Sequence, residues 1–329
     1  MLETGTITVS YGRAGASPVP HRDRVLERSA RIAAREINSR GGIDGKVRIR
    51  LVRGGAPVRL LPCPFASPQP DRQSVLALAT CNDRPDLLKA SRTIRPVGMD
   101  ANQEAAQLAE HVRAEGFRSA WLVTVPGSRL GFYLRRALRD LGVRILGATA
   151  SSKGASAQVA RIRPARPDAL VTEQEPPELG RLLRDLRQAG IEVPVLGTHR
   201  LDSRALLALG SVAEGVTFTA FGYPDPGSPL DEFQEKYRAH TGSPPDGSYA
   251  ALGYVAVKVL EAAVQKARST DPARLATAFD GLEARSVLGP VRYGDRGDPS
   301  PRVQVALVRV QDGRFELIDR GMPEPVPDR

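Results

Sequence analysis

Short apolar runs of strand character alternate with amphipathic helical stretches along most of this chain, which restricts it to parallel sheets covered by helices. Ile7 to Tyr11 reads as a first strand. Residues 24–39 follow with Leu26, Ala30, Ala33 and Ile37 on one helical face. Gly41 and Gly42 end that helix, because glycine takes the left-handed conformation of a C-terminal cap. Residues 47–52 form a second strand. From Asp100 the rhythm is more regular, with helices at 102–115, 132–141 and 177–189. Strands are expected at 119–125, 143–148, 168–172, 193–197 and 215–221. The stretch 222–229 is rich in glycine and proline and reads as a connection. Helices at 230–240, 249–267 and 272–282 come next. The tail, 303–310 and 314–318 around Asp312-Gly313, reads as a hairpin.

One segment breaks the pattern. Only five residues, 53–57, separate the second strand from the apolar stretch 58–61, and a parallel crossover ordinarily needs about a dozen. Pro62, Pro64, Pro68 and Pro70 then forbid a helix over 62–73. The first sheet is therefore expected to lack one or two covering helices.

The 329 residues are enough for about two domains with cores of their own. No apolar run approaches the roughly 20 residues of a membrane span, so no membrane insertion is expected. Residues 1–8 lack a basic stretch followed by an apolar core, so no signal peptide is expected in this chain. That leaves a mature extracytoplasmic chain, or a cytoplasmic one if Met1 is the true start. The net charge of +10 comes from arginines scattered without a run of five, which argues against nucleic-acid binding. Cys63 and Cys81 are too few for a zinc site, and His21, His111, His199 and His240 show no ligand spacing, so no metal is expected. Neither a dinucleotide fingerprint, nor a nucleophile elbow, nor an H-E-x-x-H pair is present, and no enzyme or cofactor is expected.

Several stretches resemble the type I periplasmic binding proteins, specifically the leucine/isoleucine/valine-binding family of ABC importers. They are ARIAAREINSRGGIDG at 30–45, LALATCNDRPDLL at 76–88, TIRPVGMD at 93–100, the stretches 167–170 and 177–197, and GPVRYGDRGD at 289–298. The resemblance implies an α/β fold of two lobes, each a parallel sheet flanked by helices, joined by a three-strand hinge. Crossings are placed near Asp100, at Phe221 to Tyr223, and between Asp298 and Val303. The lobes are then residues 1–99 with 223–300, and residues 100–222 with 301–329. Function follows as capture of a small polar solute, an amino acid or a related amide or carboxylate, by hinge closure of the inter-lobe cleft. The partner is a membrane permease or a sensor protein, and the location is extracytoplasmic. The alternative is a cytoplasmic regulatory domain that keeps the fold and no longer binds amino acids.

By the same resemblance, Thr80 and the backbone at Ala79 hold a ligand carboxylate. Thr80 reads equally well as an ordinary cap. The family's aromatic after the first strand falls on Arg22, its two second-lobe tyrosines fall on Leu130 and at Glu175, and its ammonium-binding glutamate falls on His199. Glu173, Glu175 and Asp202 are the acids that could replace that glutamate, while Arg22 and His199 favour an acidic ligand. Cys63 aligns with a family cysteine whose disulfide partner is missing; pairing with Cys81 and two free thiols both stay open.

Overall fold

The structure, a computed structural model, describes residues 2–11, 20–61, 76–80, 91, 93–295 and 300–326, with 20–22 described by their backbone alone. Cys63, Cys81, Asp298 and the side chain of Arg22 lie outside the described residues. The chain divides into two compact units, Met1–Asp100 with Pro224–Gln304, and Ala101–Tyr223 with Val305–Arg329.

Unit 1 opens with β1 (Gly5–Tyr11), α1 (Pro20–Ser39), β2 (Val47–Arg53), β3 (Val58–Leu61), β4 (Leu76–Ala79) and β5 (Ile94–Pro96). These strands form one parallel sheet in the order β2-β1-β3-β4-β5. The expected helical stripe of α1 is the buried one, with Leu26, Ala30, Ala33 and Ile37 all inside. Gly42 stops the helix at φ 95°. A Cβ there would lie 2.5 Å from the Val47 carbonyl oxygen, so the tight return into β2 admits only glycine.

No helix lies between β2 and β3, as expected, yet both strands run parallel to β1. Val9 of β1 pairs with Leu51 on one side and with Val58 on the other, so β3 enters the sheet level with the end of β2. The chain need not return to the amino end of the sheet. It crosses two strand spacings and backs up two residues, about 12 Å, within the reach of about 17 Å that five Cα steps allow.

Unit 2 begins with α2 (Ala101–Ala114), β6 (Ser119–Thr124), α3 (Arg129–Asp140), β7 (Arg144–Ala150), α4 (Ala155–Ala165), β8 (Ala169–Thr172), α5 (Pro176–Gln188), β9 (Val195–Gly197), the short α6 (Arg204–Leu207) and β10 (Thr217–Ala220). Helix α4 was not expected. Its sequence is small and polar and carries Pro164 in the last turn; only Gln158, Val159 and Ile162 are buried, so tertiary packing rather than periodicity makes it helical.

The chain returns to unit 1 with α7 (Pro229–Thr241), α8 (Leu252–Ala267) and α9 (Pro272–Ala278). Both α7 and α9 start on proline behind a capping side chain. Ser228 accepts from the Asp231 amide and Asp271 from the Arg274 amide. A three-stranded antiparallel sheet follows, β11 (Glu283–Ser286), β12 (Gly289–Tyr293) and β13 (Pro301–Val303). The first two were not anticipated, and β13 pairs here although the sequence reading grouped residues 301–303 with the second lobe. Tyr293 fastens this sheet to the main one by donating to the Pro96 carbonyl at 2.5 Å.

Unit 2 closes with β14 (Val305–Gln311) and β15 (Arg314–Gly321), the expected hairpin. Asp312 and Gly313 both have positive φ, 51° and 68°, as the two-residue turn with right-handed strand twist requires. The seven-stranded order is β7-β6-β8-β9-β10-β14-β15. Alternate residues of its strands feed two cores. Val123, Leu170 and Phe218 pack with Leu179, Leu182, Leu183 and Leu186 of α5. Leu122 and Val171 pack with Leu108 of α2 and with Leu134 and Leu138 of α3.

Candidate functional site

Open parallel sheets bind ligands beyond the carboxyl ends of their strands, where loops and helix starts converge. In unit 2 those are the loops after β6, β8 and β9, and they are tied together by buried acids. Glu173, just past β8, accepts from the Val125 amide at 2.8 Å and the Ser128 hydroxyl at 3.0 Å, which joins it to the loop after β6. Ser128 in turn caps α3. Burial pushes the Glu173 carboxyl above its ordinary range; the two hydrogen bonds and the charge of Arg200 oppose that rise, and the charge of Glu104 adds to it.

Glu104, in the first turn of α2, is the second such acid and is 2% exposed. It accepts from the His199 amide at 2.7 Å and the Thr219 hydroxyl at 2.5 Å, and its oxygens lie 3.0 and 2.9 Å from His199 Nδ1. Burial alone would raise its pKa, but the charge on His199 and the hydrogen bonds from His199 and Thr219 outweigh burial and hold it below the usual carboxylate range. The ring of His199 also packs against Phe221 at 5.2 Å. Glu104 thereby holds both the amide and the ring of the residue that the family resemblance placed at the ammonium-binding position.

Next to His199, Arg200 donates one Nη1 hydrogen bond to Glu175 at 3.0 Å, with 28% of the Arg200 side chain exposed. A guanidinium has five N–H donors, so Arg200 keeps capacity for an anion. Asp202 is buried at the end of the short helical turn His199–Leu201.

The structure thus brings Glu173, Glu175, His199, Arg200 and Asp202 together on the loops after β8 and β9. It sets Leu130 apart, in the apolar core of α2 and α3. In unit 1, Ala79 is a buried residue of β4 packed with Ile94. Thr80 follows at the carboxyl end of β4, where both its amide and its hydroxyl donate to the Leu61 carbonyl at 3.0 Å. The hydroxyl proton is therefore committed to holding β3 and β4 in register. Arg22 falls in the first turn of α1.

Glu104 and Thr219 were missed from the sequence. The available signal was a charge on the wrong face: Glu104 sits on the stripe formed by Ala101, Ala105, Leu108 and Val112, where an unpaired carboxylate is too costly to bury. A groove of about 580 Å³ at the opposite, amino end of this sheet has an apolar floor of Phe117, Leu186, Val193 and Val216. Its Glu115 and Arg309 already pair with each other. Among the described residues no group of His, Cys, Asp and Glu could hold a metal, and no helix is long and apolar enough to cross a membrane.

Residues 69–314, most of the chain, match the model of the periplasmic binding protein family. The chain belongs to that family. Its members are solute-binding proteins, not enzymes. The leucine-specific-binding protein of Salmonella typhimurium is 24% identical over 324 residues, covering 89% of this chain and 88% of that protein. The Leu/Ile/Val-binding protein BraC3 of Rhizobium johnstonii is 28% identical, covering 90% of each. The leucine binding protein LivK of Thermotoga maritima superposes with a TM-score of 0.76 at 19% identity, covering 96% of this chain and 98% of that one. The α/β architecture of helix-flanked parallel sheets is the architecture of that periplasmic binding protein.

Proposed function

We propose that this periplasmic binding protein captures a small solute bearing a carboxylate and delivers it to a membrane permease. The observation that carries the ligand class is Arg200. It is a partly exposed guanidinium with donors to spare, on the loop after β9, beside a His199 ring already held by the Glu104 carboxylate. A site built around an ammonium would present an acid with open acceptor capacity at position 199; here that position is a histidine held by a buried glutamate. A bidentate guanidinium–carboxylate contact suits an acid better than a neutral amide.

Structures of this fold include a substrate-binding protein from Desulfitobacterium hafniense in complex with Leu and a solute-binding protein from R. palustris in complex with 4-hydroxybenzoate. Amino acids and aromatic acids are therefore the two arms of the test. Calorimetry and thermal unfolding are run with L-leucine, L-isoleucine, benzoate, 4-hydroxybenzoate, succinate and the amides of these acids. At least one acid should bind and raise the melting temperature, since saturation at 100 times Kd adds about 2.7 kcal/mol. Arg200→Ala should weaken that binding at least tenfold. An amide that binds as tightly as its acid overturns the ligand class; a panel with no binder overturns the receptor reading itself.

A further inference from the structure

The two oxygens of Glu104 have different partners. Oε1 accepts from the His199 amide at 2.7 Å and from the Thr219 hydroxyl at 2.5 Å, while Oε2 makes the shorter approach to His199 Nδ1, at 2.9 Å. Stability alone does not account for a carboxylate at this place. Glu104 stands among the apolar residues by which α2 packs, and a buried charge pair is weak evidence for stability, since well-packed apolar residues in place of both partners often hold a fold as well or better. What the carboxylate adds is a fixed point on the loop after β9.

That loop is the short turn His199–Leu201. Thr198 caps it, its hydroxyl accepting from the Arg200 amide at 3.5 Å, and the Leu201 and Asp202 amides donate to the Thr198 and His199 carbonyls at 2.9 and 3.2 Å. These bonds run between neighbours in sequence, so they shape the turn without tying it to other elements. It is tied on either side of Arg200. Leu201 is enclosed in the core packed against α5. His199 is held from α2, 95 residues away, and its ring packs against Phe221 at 5.2 Å. Glu175 steers the guanidinium separately, at 3.0 Å. Without Glu104 the backbone at Arg200 loses its hydrogen-bonded anchor on the amino side, whereas a binding contact must be held to within about 0.5 Å.

We propose that Glu104 is a positioning residue of the solute site, holding Arg200 in place through the His199 amide; this rests on the reading of Arg200 as the solute's partner. The reach of the side chain from α2 matters more than its charge, because a backbone amide asks only for an acceptor oxygen.

Two variants of the full chain separate reach from charge. Glu104→Asp keeps the charge and withdraws the oxygens by about 1.5 Å, one C–C bond, which takes the contact to the His199 amide out of hydrogen-bond range. Aspartate is itself favoured in the first turn of a helix, so this variant should fold. Glu104→Gln drops the charge and keeps an acceptor at full reach. Asp168→Ala removes the carboxylate that accepts from the Arg118 and Ser119 amides at the opposite end of the sheet, and controls for lost stability. Each protein is titrated by calorimetry with L-leucine, 4-hydroxybenzoate and succinate, and hydrogen exchange of the His199 and Arg200 amides is followed without any solute. Glu104→Asp should lose at least tenfold in affinity for the acid that binds the wild type, and should speed exchange of both amides at least tenfold. Glu104→Gln should bind that acid at least fivefold more tightly than Glu104→Asp, and Asp168→Ala should stay within twofold of the wild type on both readouts. Unchanged exchange in Glu104→Asp, equal losses in the Asp and Gln variants, or an equal loss in Asp168→Ala overturns the proposal. A wild type that binds none of the three acids counts against the solute reading instead, and the exchange rates then decide whether Glu104 holds Arg200.

Discussion

Glu104→Leu should destabilise unit 2 by about 3–5 kcal/mol, the cost of removing one partner from a buried charge pair. The side chain is enclosed, and three groups depend on it: the His199 amide, the His199 ring and the Thr219 hydroxyl. Leucine matches the volume and supplies no acceptor, so each of those groups loses the oxygen it meets in Glu104. Glu104→Gln keeps an acceptor oxygen and should cost less. The protein contains one tryptophan, Trp121, in the unit 2 core, so its fluorescence during urea unfolding reports on this unit. The pH dependence has a definite sign. A carboxyl whose folded pKa is depressed contributes stability that is fully present above its unfolded value of about 4.3 and is lost as the pH falls through the folded value. The gap between wild type and Glu104→Leu should therefore be widest near neutrality and shrink in acid. A gap that is small at neutral pH, or grows on acidification, contradicts the assigned role.

Gly253→Ala should destabilise unit 1 by about 3 kcal/mol, at the upper end of overpacking effects. Gly253 lies in the first turn of α8, against α1. A Cβ there would meet the Leu26 carbonyl oxygen at 2.1 Å and the Ser29 hydroxyl at 2.5 Å. The hydroxyl is itself hydrogen-bonded to the Leu26 carbonyl, and the backbone of α1 cannot move aside without shifting the buried stripe of Leu26, Ala30 and Ala33. Helix propensity pulls the other way, favouring alanine by about 1 kcal/mol. The sign of the measured change thus decides the matter. Hydrogen exchange of the α1 amides should accelerate; slower exchange, with a net gain in stability, would show that the helices do not approach this closely.

The parts of the fold that were legible share a cause. Where one face of an element is apolar at a fixed period, as with Leu179, Leu182, Leu183 and Leu186, burial and periodicity agree and the helix can be read directly. The hairpin at Asp312-Gly313 was legible because its turn demands two positive φ angles that few residue pairs accept. Helix α4 was not, because only two large apolar residues, Val159 and Ile162, and a late proline leave no stripe to read. The missing helix between β2 and β3 was legible, but how five residues join two parallel strands was not, because strand stagger, which shortens the path, leaves no mark in composition.

His199, Glu175 and Asp202 were named through family resemblance, and they lie on the loops after β8 and β9. Arg200, adjacent in sequence to a named candidate, was not singled out, since an arginine in a chain with so many gives no signal until its surroundings are known. Glu104 lies 95 residues from His199, and only the fold brings them together. Leu130 illustrates the reverse: the alignment offered it to the ligand, whereas the packing of α2 against α3 claims it for the core.

The central claim is that the solute's carboxylate is held on the loop after β9 by Arg200. A crystal structure of the protein with the tightest-binding acid from the panel tests it most directly. The carboxylate oxygens should lie within about 2.7–3.2 Å of Arg200 nitrogens. A well-ordered solute that touches neither Arg200 nor the loops following β8 and β9 would contradict the account.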